Sequence, residues 1–461
     1  MLQMLKNNNW FDEAIIYHIY PIGFFGAEKS NDLHSEPQSR LRGLLDYIDY
    51  LVELGVNVVQ FGPVFESLTH GYDTVDYFRI DRRLGTNQDF KIVVEELHLR
   101  GIKVIIDGVF NHVSREFFSF VDVRNKRDHS DYLNWHFINL GQNSRFNDRF
   151  GYDDWEGHPE LVKLNLDNRA VRHHIQEVMT YWIEEVGIDG WRFDVAYMIS
   201  QDFWRWVRQF CKALNPDCIL VGEMIHGPYT NWVGPDMLDA GTGYQVHKSI
   251  WSAINDRNMH ELKAILETSF HPSHGQLRNV PLMNFLGNHD TNRIASVVDQ
   301  TNLIPAYLIL FTLNGFPKIY YGDELAMEGV KTKTSDEEVR RPMPPLDRPH
   351  DPFAQDLLTN VKKFIKMRKN LPALSKGDLT VAFVDPLTIV YSRKTEGQQL
   401  LVIVTVEDKP TVKDIPLWNM GLDGKTLVDR LNEQERFQIT GNRIESMVLY
   451  PKWGRVLEVV N

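Results

Sequence analysis

Three carboxylates have the company that bond cleavage in a sugar chain requires. They are Asp194 in Gly190-Trp191-Arg192-Phe193-Asp194, Glu223 in Val221-Gly222-Glu223-Met224, and Asp290 in Phe285-Leu286-Gly287-Asn288-His289-Asp290. Each closes a short apolar run, so each is expected where a buried strand gives out into a loop. A parallel α/β barrel places its reacting groups at such strand ends. One carboxylate there is ordinary; three, one beside an arginine and one beside a histidine, point to cleavage of glycosidic bonds.

Cleavage with retention needs one ionised carboxylate to attack the anomeric carbon and one protonated carboxyl to donate to the leaving oxygen. Asp194 suits the attack. Arg192 lies two residues earlier and therefore on the same face of the strand, where its guanidinium is expected to keep Asp194 ionised. Glu223 follows at the spacing of one βα unit, on the next strand, and suits the acid/base. Asp290 and His289 end a later strand, where they can hold the hydroxyls of a distorted ring. His112, in Asp107-Gly108-Val109-Phe110-Asn111-His112, is placed to bond a hydroxyl of the same sugar, and Asp107 to brace the interior. Tyr72 is expected to lay its ring on the pyranose.

The elements that must position these groups can be read along the chain. Strand-like runs fall at 15–20, 56–62, 103–109, 188–194, 219–223, weakly at 238–243, and at 282–287 and 318–321. Most are continuously apolar, as strands covered on both sides require. Helical periodicity falls between them at 40–54, 87–100, 170–186, 201–214, 245–254 with 259–268, 304–313 and 353–369. Eight strands alternating with helices predict an α/β fold, a (β/α)8 TIM barrel.

Two stretches break that rhythm. Residues 113–165 are rich in aromatic and polar residues and form an excursion domain after strand three. Beyond residue 372 the helices give way to short β-type runs at 379–384, 388–392, 400–406 and 443–449, which predict a C-terminal all-β sandwich. The expected layout is a barrel over 1–112 and 166–372, the excursion over 113–165, and the sandwich over 373–461. A loop dense in charge and proline spans 328–350.

The bulk composition agrees. Of 461 residues, 43% are hydrophobic and 24% charged, and the net charge is −12. A chain this acidic offers no basic face to nucleic acid or an anionic membrane. No run is long enough to span a bilayer, and residues 1–10 lack a secretory pattern, so the expected address is cytoplasmic. Cys211 and Cys218 make no disulfide framework and read as buried thiols.

Four segments in order resemble the signature regions of the α-amylase family of glycoside hydrolases: Asp107–His112, Gly190–Ala196, Gly222–Glu223 and Phe285–Asp290. The resemblance runs from residue 17 to residue 343. It implies that Asp194 is the nucleophile, Glu223 the acid/base and Asp290 the stabiliser of the transition state. It also implies that Tyr72, His112, Arg192 and His289 line the subsite of the attacked sugar. Within the family, Leu161-Val162-Lys163-Leu164-Asn165 and Arg340-Arg341-Pro342-Met343 resemble the neopullulanase and cyclomaltodextrinase group, and Arg341 would then bind sugar on the non-reducing side.

Two departures qualify the likeness. That group usually carries an N-terminal β domain, whereas strand one is expected here near residue 15. Many α-amylases also have Asp at the place of Lys163 and Lys-His at the place of Tyr197-Met198. Asn111 alone cannot satisfy a hard cation that takes six or more oxygens, so no metal and no cofactor is expected.

The implied function is a retaining hydrolase of α-1,4, and as a second linkage α-1,6, glucosidic bonds in maltooligosaccharides or cyclic glucans. An α-glucan transglycosylase using the same covalent intermediate is the alternative, and an inactive binding subunit the remote one. The small-molecule substrate is the only partner expected, with a monomer and a homodimer both open. Among other residues, His173 and Glu177 read as a solvated helix face and His18 as a hydrogen-bonded core histidine. Trp135 and Trp155 either stack on sugars beyond the cut or build the core of the excursion.

Overall fold

The computed structural model describes residues 10–346 and 351–460. The leader expectation for residues 1–9 and the last four residues of the charged loop, 347–350, lie outside the described residues. Eight parallel strands close into a barrel: β1 (Ile16–Ile19), β2 (Val58–Phe61), β3 (Lys103–Gly108), β4 (Gly190–Phe193), β5 (Ile219–Gly222), β6 (Ala240–Thr242), β7 (Leu282–Phe285) and β8 (Phe316–Tyr320). Neighbours in sequence are neighbours in space, and β8 pairs with β1 through His18↔Tyr320.

All eight fall within or beside the predicted runs. The last begins at Phe316, two residues before the expected start. Pro317 lies inside it, opposite Asn284 of β7, and a proline within a central strand ordinarily argues for a break.

Helices pack outside. The run at 40–54 is 3₁₀ over Arg40–Tyr47 and α-helical only as α1 (Ile48–Leu54). Gly43, a weak helix former, sits in the 3₁₀ part. Gly55 ends α1 at φ 93°, the left-handed geometry that makes glycine the favoured stop. α2 (Asn87–Leu99) opens on a capping box between Thr86 and Asp89. α3 (Arg169–Thr180) runs into a π-helical turn, Tyr181–Val186, before β4. α4 (Gln201–Leu214), α5 (Tyr244–Asn255), α6 (Met259–Phe270), α7 (Leu303–Thr312) and α8 (Pro352–Asn370) complete the ring.

The barrel interior is layered. At its base Ile16, Val58, Ile105, Val221, Met283 and Phe316 pack with Phe11, which plugs the bottom. Two residues further along four of these strands the same inward positions hold His18, Gln60, Asp107 and Lys318, all buried. A polar layer therefore lies directly under the mouth.

The excursion rises from a three-stranded sheet of His112–Ser114, His158–Lys163 and Asp154–Trp155, with a helix at Phe118–Lys126. Trp135 packs here against Phe118, Tyr132 and His174, so it belongs to the core of the excursion. Beyond α8 one eight-stranded antiparallel sheet covers Asp378–Val460. Its two halves share a core that includes Val390, Leu401, Leu457, Ile415, Ile439 and Met447, facing one another as the layers of a sandwich do. The strands Thr411–Pro416, Thr426–Asp429, Arg436–Thr440 and Gly454–Val460 were not among the predicted runs. Cys211 and Cys218 are buried and unpaired by disulfide. No described helix is long and apolar enough to cross a membrane.

Candidate active site

Strands β4 and β5 lie in register, Phe193 opposite Gly222, so Asp194 and Glu223 leave the barrel side by side. Both are buried. Arg192, opposite Asp107 of β3, holds them together. Its Nη1 lies 2.8 Å from Asp107 Oδ2 and 3.1 Å from Asp194 Oδ1, while Nη2 lies 2.7 Å from Glu223 Oε1. Such charge-assisted bonds are the strong ones.

Glu223 gains two further donors. The Tyr244 hydroxyl lies 3.1 Å from Oε1, and the Val195 main-chain N–H donates to Oε2 at 3.0 Å. Tyr244 accepts in turn from Asn288 Nδ2 at 2.9 Å, which ties Glu223 to the segment that carries His289 and Asp290.

The surroundings act on Asp194 in opposing directions. Burial and the neighbouring Glu223 push the Asp194 carboxyl well above its ordinary value, and Arg192 only opposes them. Three carboxylates share that one guanidinium.

Asp290 behaves in the opposite way. Burial acts upward on it, but His289 and Arg340 outweigh burial and hold it well below the usual carboxylate range. His289 Nε2 lies 2.8 Å from Oδ2 and Arg340 Nη2 2.9 Å from Oδ1. Its side chain is 34% exposed, so it faces the mouth while the other two carboxylates sit deeper.

The side chains expected to contact the sugar ring meet as well. Tyr72 donates from its hydroxyl to Asp107 Oδ2 at 3.0 Å and touches His289 Nε2 with the same oxygen. One face of Tyr72 lies against His289, with centroids 5.3 Å apart, and Tyr20 stacks on His289 as well. His112 is buried with no partner for Nε2. Burial pushes its pKa down to about 3, so its ring is neutral and offers a hydroxyl one site on that nitrogen. Trp155 lies 5.6 Å from the His112 ring and 5.3 Å from His158, so it borders the site whereas Trp135 does not.

The adjacent arginines divide their contacts unevenly, and His18 is not hydrogen-bonded as the sequence suggested. Arg341 is 51% exposed and loosely paired with Glu338 at 3.6 Å. Its neighbour Arg340 is the one that reaches inward, to Asp290, to Asp336 at 3.0 Å, and to the His289 carbonyl at 2.9 Å. Both arginines line a groove of about 810 Å³ with Tyr20, His70 and Asp336. His18 is buried, but neither ring nitrogen has a hydrogen-bond partner; it packs edge-on against His289 instead.

Three contributors escaped the sequence reading. Tyr244 follows β6, the weakest of the predicted strands, so its place at a strand end was not visible. Arg340 and Arg341 are adjacent and alike, and only the chain path decides which faces inward. Val195 acts through its main chain, which no side-chain pattern reveals.

Among the described residues no group of three or more His, Cys, Asp or Glu side chains is arranged to hold a metal. Asn111 instead directs Nδ2 toward His112 Nδ1 at 3.2 Å, and the Lys163 carbonyl takes His136 Nδ1 at 3.1 Å. His173 and Glu177 lie 3.5 Å apart on an exposed face of α3.

Comparison with known proteins agrees with this geometry. A family model described as the α-amylase catalytic domain matches residues 18–366. The chain is 32% identical to neopullulanase 2 of Thermoactinomyces vulgaris over 99% of its own length and 79% of that protein. It is 33% identical to a cyclomaltodextrinase of Geobacillus thermopakistaniensis over 100% of its length and 79% of that protein. Among solved structures, the cyclic α-maltosyl-(1→6)-maltose hydrolase of Arthrobacter globiformis superposes with a TM-score of 0.81 at 28% identity, covering 98% of this chain and 99% of that one.

Proposed function

The chain belongs to the α-amylase family, and from that premise we propose that it is a retaining hydrolase of α-glucosidic bonds in maltooligosaccharides or cyclic glucans. The observation that carries the reading is the single guanidinium of Arg192 shared by Asp194 and Glu223. It keeps the two carboxyls close, and retention asks for a separation of about 5–5.5 Å rather than the wider gap of inverting enzymes.

In this reading an oxygen of Asp194 attacks the anomeric carbon as Glu223 passes its proton to the glycosidic oxygen. The aglycone leaves and a glucosyl ester on Asp194 remains. Glu223, now ionised, takes a proton from the incoming water, whose oxygen attacks the same carbon and releases Asp194. Asp290, kept ionised by His289 and Arg340, bonds sugar hydroxyls and faces the positive charge that develops on the ring. His112 and His289 hold further hydroxyls, Tyr72 flanks the ring, and the groove beside Arg340 and Arg341 takes sugars on the non-reducing side. The relatives' names favour α-1,4 bonds of linear or cyclic glucans as the first substrates and α-1,6 bonds as the second. The proposed setting is the cytoplasm, which cell fractionation tests.

The experiment is NMR of fresh products from maltotriose, a cyclodextrin, panose and a cyclic oligomer with α-1,6 bonds. The α-anomer as first product is expected, and a β-anomer refutes the nucleophile assignment. Longer oligomers appearing early from maltotriose would make transfer to a sugar the main reaction. No turnover of any member would leave the binding-subunit reading.

A further inference from the structure

We infer that the main chain at Val195 is a positioning element for the acid/base: its strained turn hands the last rung of the β4/β5 ladder from a carbonyl to the Glu223 carboxyl. The inference rests on the role proposed above for Glu223.

Val195 has φ 38° and ψ 42°, in the left-handed region. Among the described non-glycine residues with positive φ it is the β-branched one, and β-branched side chains are the least tolerant of that region. It is also buried, at 4% exposure. Strain of this kind persists where the surroundings over-determine it, and it gathers at functional sites.

The ladder shows what the turn achieves. Ile219 and Glu223 donate their N–H groups to the carbonyls of Asp189 and Phe193, at 2.9 Å each. Continued in register, a parallel pair would send the Val195 N–H to the carbonyl of Glu223. It goes instead to the Oε2 atom of Glu223, at 3.0 Å. The N–H of Asp194 is already used on the Gly108 carbonyl at 3.1 Å, so Val195 carries the first main-chain donor beyond the nucleophile. Arg192 and Tyr244 take Oε1. With Val195 on Oε2, both oxygens are fixed, and the strand end that bears the nucleophile orients the acid/base directly.

An N–H donor fixes the orientation of the carboxylate oxygen it bonds. Its removal therefore frees Oε2 of Glu223 to turn away from the glycosidic oxygen. It also lowers kcat more than KM, because a misoriented acid hinders the chemical step and leaves substrate binding alone.

The test is the full-length enzyme carrying 2-hydroxyisovaleric acid in place of Val195, introduced by nonsense suppression. This turns the 194–195 amide into an ester, which removes the N–H, weakens the Asp194 carbonyl as an acceptor and leaves the side chain in place. Val195→Gly is the companion, since glycine keeps the donor and adopts positive φ freely. Expected for the ester are a fall in kcat of about tenfold or more and KM within about twofold. The glycine variant is expected to lose less kcat than the ester, since it keeps the donor and gives up only side-chain packing. An ester variant with wild-type kcat overturns the inference, and so does a glycine variant that reproduces the ester's losses, since packing rather than the bond would then be responsible. Glu223→Gln separates the two readings: if it still turns over near normally, the proposed role of Glu223 fails, whatever Val195 does.

Discussion

The Nη2 atom of Arg192 lies 2.7 Å from Oε1 of Glu223, closer than its Nη1 lies to Oδ1 of Asp194, at 3.1 Å. The same guanidinium also braces Asp107 at 2.8 Å. Three buried carboxylates thus depend on one cation, and a planar fork is the side chain that can serve several at once. Lysine has one charged atom and cannot bridge them. Arg192→Lys is expected to lower kcat/KM by about 10²–10⁴-fold, with near-UV circular dichroism reporting whether the fold is kept.

The crowding at Asp194 has a consequence for stability. Its carboxyl is pushed upward by burial and by Glu223, so an amide there removes a repulsion rather than a support. Asp194→Asn is expected to lose turnover by at least about 10³-fold while its Tm stays equal to or above that of the wild type. A thermal melt and an assay on maltotriose check both halves. Near-normal turnover would take Asp194 out of the nucleophile's role.

Arg340 and Arg341 differ in what they touch. Arg340 holds Asp290 and Asp336, whereas the Arg341 guanidinium pairs loosely with Glu338, at 3.6 Å. Arg340→Ala is expected to lower kcat/KM by about 10–100-fold on every substrate, since it takes from Asp290, the proposed stabiliser, a guanidinium that holds it ionised. Arg341→Ala is expected to change KM by no more than about threefold, and only for longer oligomers. Steady-state kinetics on maltose through maltohexaose separates them.

Lys318 is 3% exposed in the barrel interior, its Nζ 4.8 Å from the centre of the Phe285 ring. Burial first, then the charge of Arg192, pushes its pKa down from 10.5 to about 7. A depressed amine binds fewer protons in the folded chain than in the unfolded one, so stability falls as pH drops from 10.5 towards 7 and is constant below. Lys318→Met removes that dependence. It is expected to raise stability by about 2 kcal/mol near pH 7, with a difference from wild type that narrows towards pH 10. Urea melts across pH 6–10 measure it, and a gap that widens with pH would refute the assignment.

The sequence by itself determined the scaffold and the roster. Apolar runs covered on both sides, alternating with amphipathic helices, left a parallel barrel as the economical assembly, and carboxylates closing three of those runs had to stand at its mouth. Side-chain period placed Arg192 on the face of Asp194 because adjacent inward positions on a strand are two apart. It could not say how one cation would be divided, because Glu223 and Asp107 are neighbours only once β3, β4 and β5 are in register. Strand β6 was faint for lack of length, so Tyr244 went unseen, and Pro317 hid the start of β8. Which of Arg340 and Arg341 turns inward, and where the N–H of Val195 points, are matters of chain path and backbone dihedral. Residue identity carries chemistry, but the charge on Asp194 and the orientation of Glu223 depend on burial and on partners that are remote in sequence. Those were decided by the tertiary structure alone.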